Sequence, residues 1–144
     1  MYQFRVFEAE NYSQWLKLWE QYLLFYKTEL ADEITQVVWQ RIMSREVQSI
    51  GVFNGDELIG FMHFHSQINT WKMGKVYYLE DLFVSQNYRL QGIGRRLIEY
   101  LYDLARQNGY ERVYWLTDKN NLPAQNLYGK LAEKTDFLLY RQEF

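Results

Sequence analysis

Arg89, Gly92 and Gly94 stand within the stretch NYRLQGIGRR, residues 87–96. An apolar run, YYLEDLFV, precedes it and an amphipathic run, LIEYLYDLARQNG, follows. A helix N-terminus offers unpaired N–H groups and a partial positive charge. Glycines let an anion approach those groups with no Cβ in the way. The spacing therefore points to an anion, a phosphate above all, seated where a strand turns into a helix. A Walker loop needs Lys-Ser/Thr after its last glycine, where Arg95-Arg96 stand. A dinucleotide fingerprint needs a small residue where Leu97 stands. Both motifs fail, and a plain tight turn fits the same residues. His63 and His65, two apart on one strand, share a face. They suit a half-exposed pair, a metal pair or a base. No third ligand stands nearby, so no metal is expected.

These groups need elements to carry them. YQFRVFE, residues 2–8, alternates and reads as a strand. Asn11 or Ser13 caps a helix over QWLKLWEQYLLFYK, whose Trp15, Leu18, Trp19 and Tyr22 recur at helical spacing. ADEITQVVWQRIMS reads as a second helix burying Ile34, Val37, Val38 and Ile42. VQSIGVFN and ELIGFMHFHSQ flank Asn54-Gly55, a hairpin signal. KVYYLEDLFVS is a further strand. A third helix runs from about Gly92 to Gln107 with the stripe Ile93, Leu97, Leu101, Leu104 and Ala105, and Asn108-Gly109 ends it. RVYWLTD reads as a buried strand, Asn121 to about Leu131 as a short helix with Pro123 in its first turn, and TDFLLYRQEF as a closing strand. The order is β-α-α-β-β-β-α-β-α-β. The strand–helix–strand step around the third helix makes two strands parallel. The fold class is therefore α/β (α+β), with a mixed central sheet.

The 144 residues suit one domain, residues 1–144. A net charge of −2 without a concentrated basic face argues against nucleic acid as a partner. Arg89, Arg95 and Arg96 alone cluster, beside the glycines, which suits a local anion site. The absence of cysteine excludes disulfides, thiolate metal sites and a cysteine nucleophile. No signal peptide or membrane-spanning run is evident, so no membrane partner and a cytoplasmic location are expected.

Arg/Gln-x-x-Gly-x-Gly/Ala between an apolar strand and an amphipathic helix resembles the acyl-CoA motif of the GNAT N-acetyltransferases. YLEDLFVSQNYRLQGIG is similar to that family's central strand and pyrophosphate loop, and TDKNNLPAQNLYGKL to its next motif, an asparagine-led helix ending in Leu-Tyr. The early helix pair with VVWQRI and the hairpin after it also fit. KTDFLLYRQEF resembles the subgroup of histone-and-other-protein acetyltransferases. Spermidine/spermine acetyltransferases share the central pattern more distantly. Ala132, in KLAEKT, stands where the family usually has glycine. The resemblance implies the GNAT acyl-CoA N-acyltransferase fold, with helices on both faces of the sheet, and acetyl-CoA as co-substrate. It implies that the amides of Leu90, Gln91, Gly92, Ile93, Gly94 and Arg95 bind the CoA pyrophosphate. It implies that Leu82, Phe83 and Val84 offer backbone groups to the pantetheine arm. The arm carries two amides and can pair like a strand. Asn121, Leu122, Pro123 and Ala124 would contact the far side of the gap.

Acetyl transfer to an amine must deprotonate the amine, stabilise an oxyanion and protonate a thiolate. With no cysteine to carry an acyl group, direct attack in a ternary complex is expected. Glu80 lies on the central strand and can take the amine proton, directly or through water. Asp81 points to the opposite face of an ideal strand. Asn121, Gln125 and Tyr128 share one helical face, and the Asn-Leu-Tyr match gives Tyr128 the role of general acid. Trp15, Trp19, Trp39 and Trp71 are candidate walls of an acceptor site. Glu29, Asp32 and Glu33 make the connection YKTELADEIT acidic, which suits a cationic primary amine, polyamine or lysine-like, on a small molecule or a peptide. Edge pairing through the apolar last strand is the expected route to a homodimer. The rival is an acyl-CoA-binding sensor of the same fold with little turnover.

Overall fold

The computed structural model describes residues 1–144. In chain order it contains β1 (Tyr2–Arg5), α1 (Tyr12–Phe25), α2 (Asp32–Met43), β2 (Gln48–Asn54), β3 (Glu57–Gln67), β4 (Val76–Val84), α3 (Ile93–Gln107), β5 (Arg112–Trp115) and α4 (Leu122–Tyr128). Short 3-10 turns lie at Ala9–Asn11 and Gln86–Tyr88. The strands form one sheet in the order β1-β2-β3-β4-β5. Neighbours are antiparallel up to β4, and β4 pairs with β5 in parallel across the α3 crossover.

Each face of the sheet carries its own apolar cluster. Trp15, Leu18 and Trp19 of α1 and Ile42 of α2 pack on Phe53, Leu58, Phe61 and Phe83. On the other face the stripe Ile93, Leu97, Ile98, Leu101 and Ala105 of α3 packs on Ile50, Val52, Ile59, Met62, Phe64, Tyr77 and Leu79. Tyr128 and Leu131 extend that second cluster. A fully buried aliphatic or aromatic side chain stabilises by about 1.5–3 kcal/mol, so α3 is anchored along its whole length.

Three local expectations shift. The hairpin loop is Gly55-Asp56, closed by the pair Asn54 and Glu57, because the positive φ falls on Gly55. The buried stripe of α2 is Thr35, Val38, Trp39 and Ile42, while Ile34 and Val37 are exposed. A helix buries positions at i, i+3, i+4 and i+7, and packing against Phe7 and Trp15 selects that register. The element order agrees through α4, but residues 135–144 form no strand. An extended segment becomes a strand only through a ladder. No backbone hydrogen bond links this one to β5, and Phe137, Leu138, Leu139, Tyr140 and Phe144 remain exposed. The apolar run states a need for burial without specifying a partner.

β4 differs on its two sides. It pairs with β3 as far as Val84 but with β5 only from Val76 to Leu79. From Glu80 to Val84 its β5 side has no strand beside it, so the sheet splits there.

Candidate active site

The loop after β4 holds two residues at positive φ, Leu90 at 62° and Gly92 at 77°. Leu90 bears that strain itself; Gly92 bears none. A Cβ on Gly92 would meet nothing within 4 Å, and one on Gly94 only Leu127 Cδ2 at 4.0 Å. Gly92 is thus required by the backbone turn and Gly94 leaves space above the helix mouth. No acceptor within the protein binds the N–H groups of Leu90, Gln91, Gly92, Ile93, Gly94 or Arg95. Six donors and the positive end of a 15-residue helix are gathered at one point.

The arginines beside them do not gather. Arg89 Nε donates to Val84 O at 3.0 Å and its guanidinium lies 5.3 Å from the rings of Phe25 and Phe83. Arg95 pairs with Glu99 at 2.8 Å, and Arg96 lies over Phe4. Their local charge cluster is therefore a sequence feature only. The Tyr2 hydroxyl donates to Gln91 Oε1 at 2.6 Å and ties the loop to β1.

On β4, Phe83 faces the α1 side while Leu82 and Val84 pack on the α3 cluster. Their backbone lies on the split stretch, where no strand pairs on the β5 side and an added strand-like amide chain has room, although Val84 O already accepts from Arg89 Nε. Across the split, Asn121 Oδ1 accepts from Ala124 N at 3.3 Å and caps α4, with Leu122 and Pro123 in its first turn. Gln125 Nε2 donates to the carbonyls of Asp118 and Lys119, so it holds the preceding loop instead of facing the gap. The Tyr128 ring packs edge-on against Trp115, 5.3 Å between centroids. Burial pushes its phenol up from the usual tyrosine range, and neighbouring Tyr26 adds to the effect. Tyr26 is itself raised by burial and by Asp81 and Asp118. Tyr26 thus links the Tyr128 phenol on one hand with the charges of Asp81 and Asp118 on the other.

The β4 carboxylates correct an expectation. His63 pairs with Asp81 across the ladder and Phe64 with Leu79, leaving Glu80 as an extra, unpaired residue. Such a bulge breaks the strict alternation of a strand. His63 and His65 lie on one face, and His63 Nδ1 donates to Asp81 Oδ2 at 2.9 Å while His65 Nε2 donates to Glu80 Oε1 at 2.5 Å. Glu80 and Asp81 therefore project to the same, α1 side.

The environments of these two carboxylates differ. Trp15 Nε1, a donor only, gives its hydrogen to His63 Nε2 at 3.1 Å. The ring must carry its own hydrogen on Nδ1, facing Asp81. The Tyr22 hydroxyl donates to Asp81 Oδ1 at 2.7 Å. His63 is buried, so Trp15, His63, Asp81 and Tyr22 form an interior chain in which every hydrogen has an acceptor. Burial, then the Asp81 charge, drives the Tyr22 phenol far up, so it remains a donor. Glu80 is half exposed and has one oxygen free.

Of the four tryptophans proposed as acceptor walls, Trp15 and Trp19 are core, Trp39 packs on Trp15, and Trp71 is exposed on the loop before β4. Glu29, Asp32 and Glu33 are exposed around the entry to α2. The sequence reading placed Tyr22 only in the apolar stripe of α1 and left out Tyr26, although their i, i+4 spacing at the end of α1 places both on one face.

The profile of the Acetyltransferase (GNAT) family matches residues 9–132. D-amino-acid N-acetyltransferase HPA3 of Saccharomyces cerevisiae is 36% identical over 142 residues, 96% of this chain and 88% of that protein. The thialysine N-epsilon-acetyltransferase of Bos taurus is 29% identical, over 87% of this chain and 70% of its own. A possible acetyltransferase from Clostridium difficile 630 superposes with a TM-score of 0.87 at 17% identity, covering 100% of this chain and 98% of that one. The aminoglycoside N-acetyltransferase AAC(6')-Iy, solved in complex with CoA, gives a TM-score of 0.84 at 18% identity over 99% and 95%. The chain belongs to the GNAT acetyltransferase family and is an N-acetyltransferase.

Proposed function

We propose that residues 1–144 act as a single domain that moves acetyl from acetyl-CoA to a primary amine by direct attack. The observation that carries this reading is the free β5 side of β4 from Glu80 to Val84, which leads to six unpaired N–H groups at the mouth of α3. A pantetheine arm fits the first and a diphosphate the second. Leu82, Phe83 and Val84 would pair with the arm. Leu90 to Arg95 would hold the phosphates, and Asn121 to Ala124 would border the gap from α4.

Catalysis then follows from the groups at the split. An ammonium is drawn to the free oxygen of Glu80 and gives up a proton there, directly or through water. The amine nitrogen attacks the thioester carbonyl, and a strand N–H near Phe83 receives the oxyanion's charge. When the C–S bond breaks, the Tyr128 hydroxyl protonates the leaving thiolate. The raised Tyr128 phenol keeps its hydrogen until that moment.

The acceptor we favour is a small cationic amine, lysine-like or polyamine. The half-exposed Glu80 supports this, as do the exposed Glu29, Asp32 and Glu33 and the relatives named for thialysine. The relative named for D-amino acids supports a small amino-acid acceptor. A homodimer through the exposed apolar tail and a cytoplasmic location belong to the same proposal. No helix is long and apolar enough to cross a membrane. The test is thiol release from acetyl-CoA across a panel of D-amino acids, lysine analogues, polyamines and aminoglycosides. Turnover with a cationic amine, weakened when Glu29, Asp32 and Glu33 become amides, is the expected result. CoA binding with no turnover on any amine would instead leave a sensor.

A further inference from the structure

The bulge that turns Glu80 to the α1 side delivers it to His65. A carboxylate only accepts, so the bond at 2.5 Å fixes the ring hydrogen on Nε2. Nδ1 has no partner in the protein, and a second proton enters there. The ring and Glu80 are both partly open to solvent, with side-chain exposures of 28% and 50%. Here a change of charge is allowed, whereas His63 gives both nitrogens to fixed partners.

We propose that His65 is a positioning residue that meters the Glu80 charge available to the acceptor. With Nδ1 protonated, the imidazolium neutralises Glu80 and competes with the substrate ammonium for it. With Nδ1 free, the neutral ring still donates through Nε2, holds one carboxylate oxygen, and leaves the negative charge to the acceptor. The inference rests on the acetyl-transfer reading above and deepens it.

The surroundings leave the His65 ring as the titrating element. The ring stacks on Tyr78 of β4 and feels Glu80 and Asp81 of the same strand; one step further, Tyr114 of β5 stacks on Tyr78, and Tyr22 of α1 and His63 of β3 bond Asp81. Burial holds the Tyr22 and Tyr78 hydroxyls protonated. Asp81 is bonded to His63 and Tyr22. Tyr114 donates to Gln67 Oε1 at 2.6 Å. The bond to Glu80 raises His65 above the usual histidine value, with burial opposing. The imidazolium therefore persists to higher pH than in a free histidine. As pH rises through that raised value, the ring loses its second proton and the Glu80 charge is no longer neutralised, while the Nε2 hydrogen bond stays.

The experiment measures KM for a cationic amine against pH in the full chain, for wild type, His65→Gln, His65→Lys and Glu80→Gln. KM of the wild type should fall roughly fivefold as His65 loses its proton, the size of one partly screened charge contact. His65→Gln keeps a donor and removes the titration, so its KM should stay at the low, alkaline value on the acid side. His65→Lys supplies a fixed cation and should hold KM at the high value throughout. The chain has only two histidines, so the His65 ring resonances follow by subtraction from the His65→Gln spectrum. Their midpoint should lie above the ordinary histidine range and drop in Glu80→Gln. An active wild type with the same KM profile in His65→Gln, or a ring midpoint unmoved in Glu80→Gln, overturns the inference alone. No thiol release by the wild type at any pH overturns the acetyl-transfer reading and this inference with it.

Discussion

Asp81→Ala and Glu80→Ala change adjacent residues and should have opposite consequences. The Asp81 carboxylate accepts from His63 Nδ1 and from the Tyr22 hydroxyl. Alanine leaves both hydrogens without an acceptor. The ring cannot escape by moving its hydrogen to Nε2, because Trp15 already points one there. A buried donor left alone costs about 1–3 kcal/mol. His63, at 1% exposure, bears that cost in full. The Tyr22 hydroxyl, at the edge of the split, recovers part of its loss from water. The two together come to about 2–4 kcal/mol, against the roughly 5–15 kcal/mol that holds a domain folded. At about 4 °C per kcal/mol, melting should fall by roughly 8–16 °C. Glu80→Ala breaks one bond between partly exposed groups and should cost under about 1 kcal/mol, yet it removes the proposed proton acceptor and should lower kcat/KM about 100-fold. Urea unfolding followed by tryptophan fluorescence gives the first quantity. Thiol release, at a temperature where both variants are folded, gives the second. Equal melting temperatures for the two variants would refute the interior chain as an energetic unit.

Three further outcomes follow from the same geometry. Tyr128→Phe keeps the ring packed on Trp115 and loses only the hydroxyl, so kcat should fall about 100-fold or more while CoA affinity by calorimetry holds; equal losses in both would remove the general-acid role. Gly92→Ala meets no atom but must hold φ near 77°, so it should cost roughly 1 kcal/mol and weaken CoA binding more than Gly94→Ala, an order that calorimetry with the two variants would check. Removing residues 135–144 takes five exposed apolar side chains away and should leave the melting temperature within about 2 °C while lowering any self-association seen by sedimentation; a large loss of stability would mean that the tail packs in solution.

What was readable in the sequence was local and periodic. The stripe on α3, the turn signal between β2 and β3 and the glycines before α3 each state a preference of neighbouring residues, and each element forms where expected. Less was readable where the outcome depends on a distant partner. The run at residues 137–140 signals burial, but nothing within it says that the edge of β5 is not paired with it. The stripe of α2 slipped because Phe7 and Trp15, far off in sequence, choose its face. At the site, the placement of the glycines before α3 and of Tyr128 at the end of α4 was legible from spacing, whereas the roles given to them come from the family resemblance. Asp81 was misplaced because alternation was assumed to continue through β4, and a bulge is a property of two strands, not of one. Tyr26 lay outside any motif and is found only when the end of α1 is seen beside the split.

The extra residue at Glu80 makes this site a matter of counting. Two side-by-side carboxylates on one surface of a sheet exist only because one strand is a residue longer than its neighbour across the same span. Substitution can change either acid, but it cannot create or undo their shared direction; only an insertion or deletion can. A lineage therefore inherits the arrangement whole or loses it whole, while exposed residues such as Glu29, Asp32 and Glu33 remain free to drift one at a time. The bulge and the exposed side chains around it can thus evolve at different tempos within one small protein.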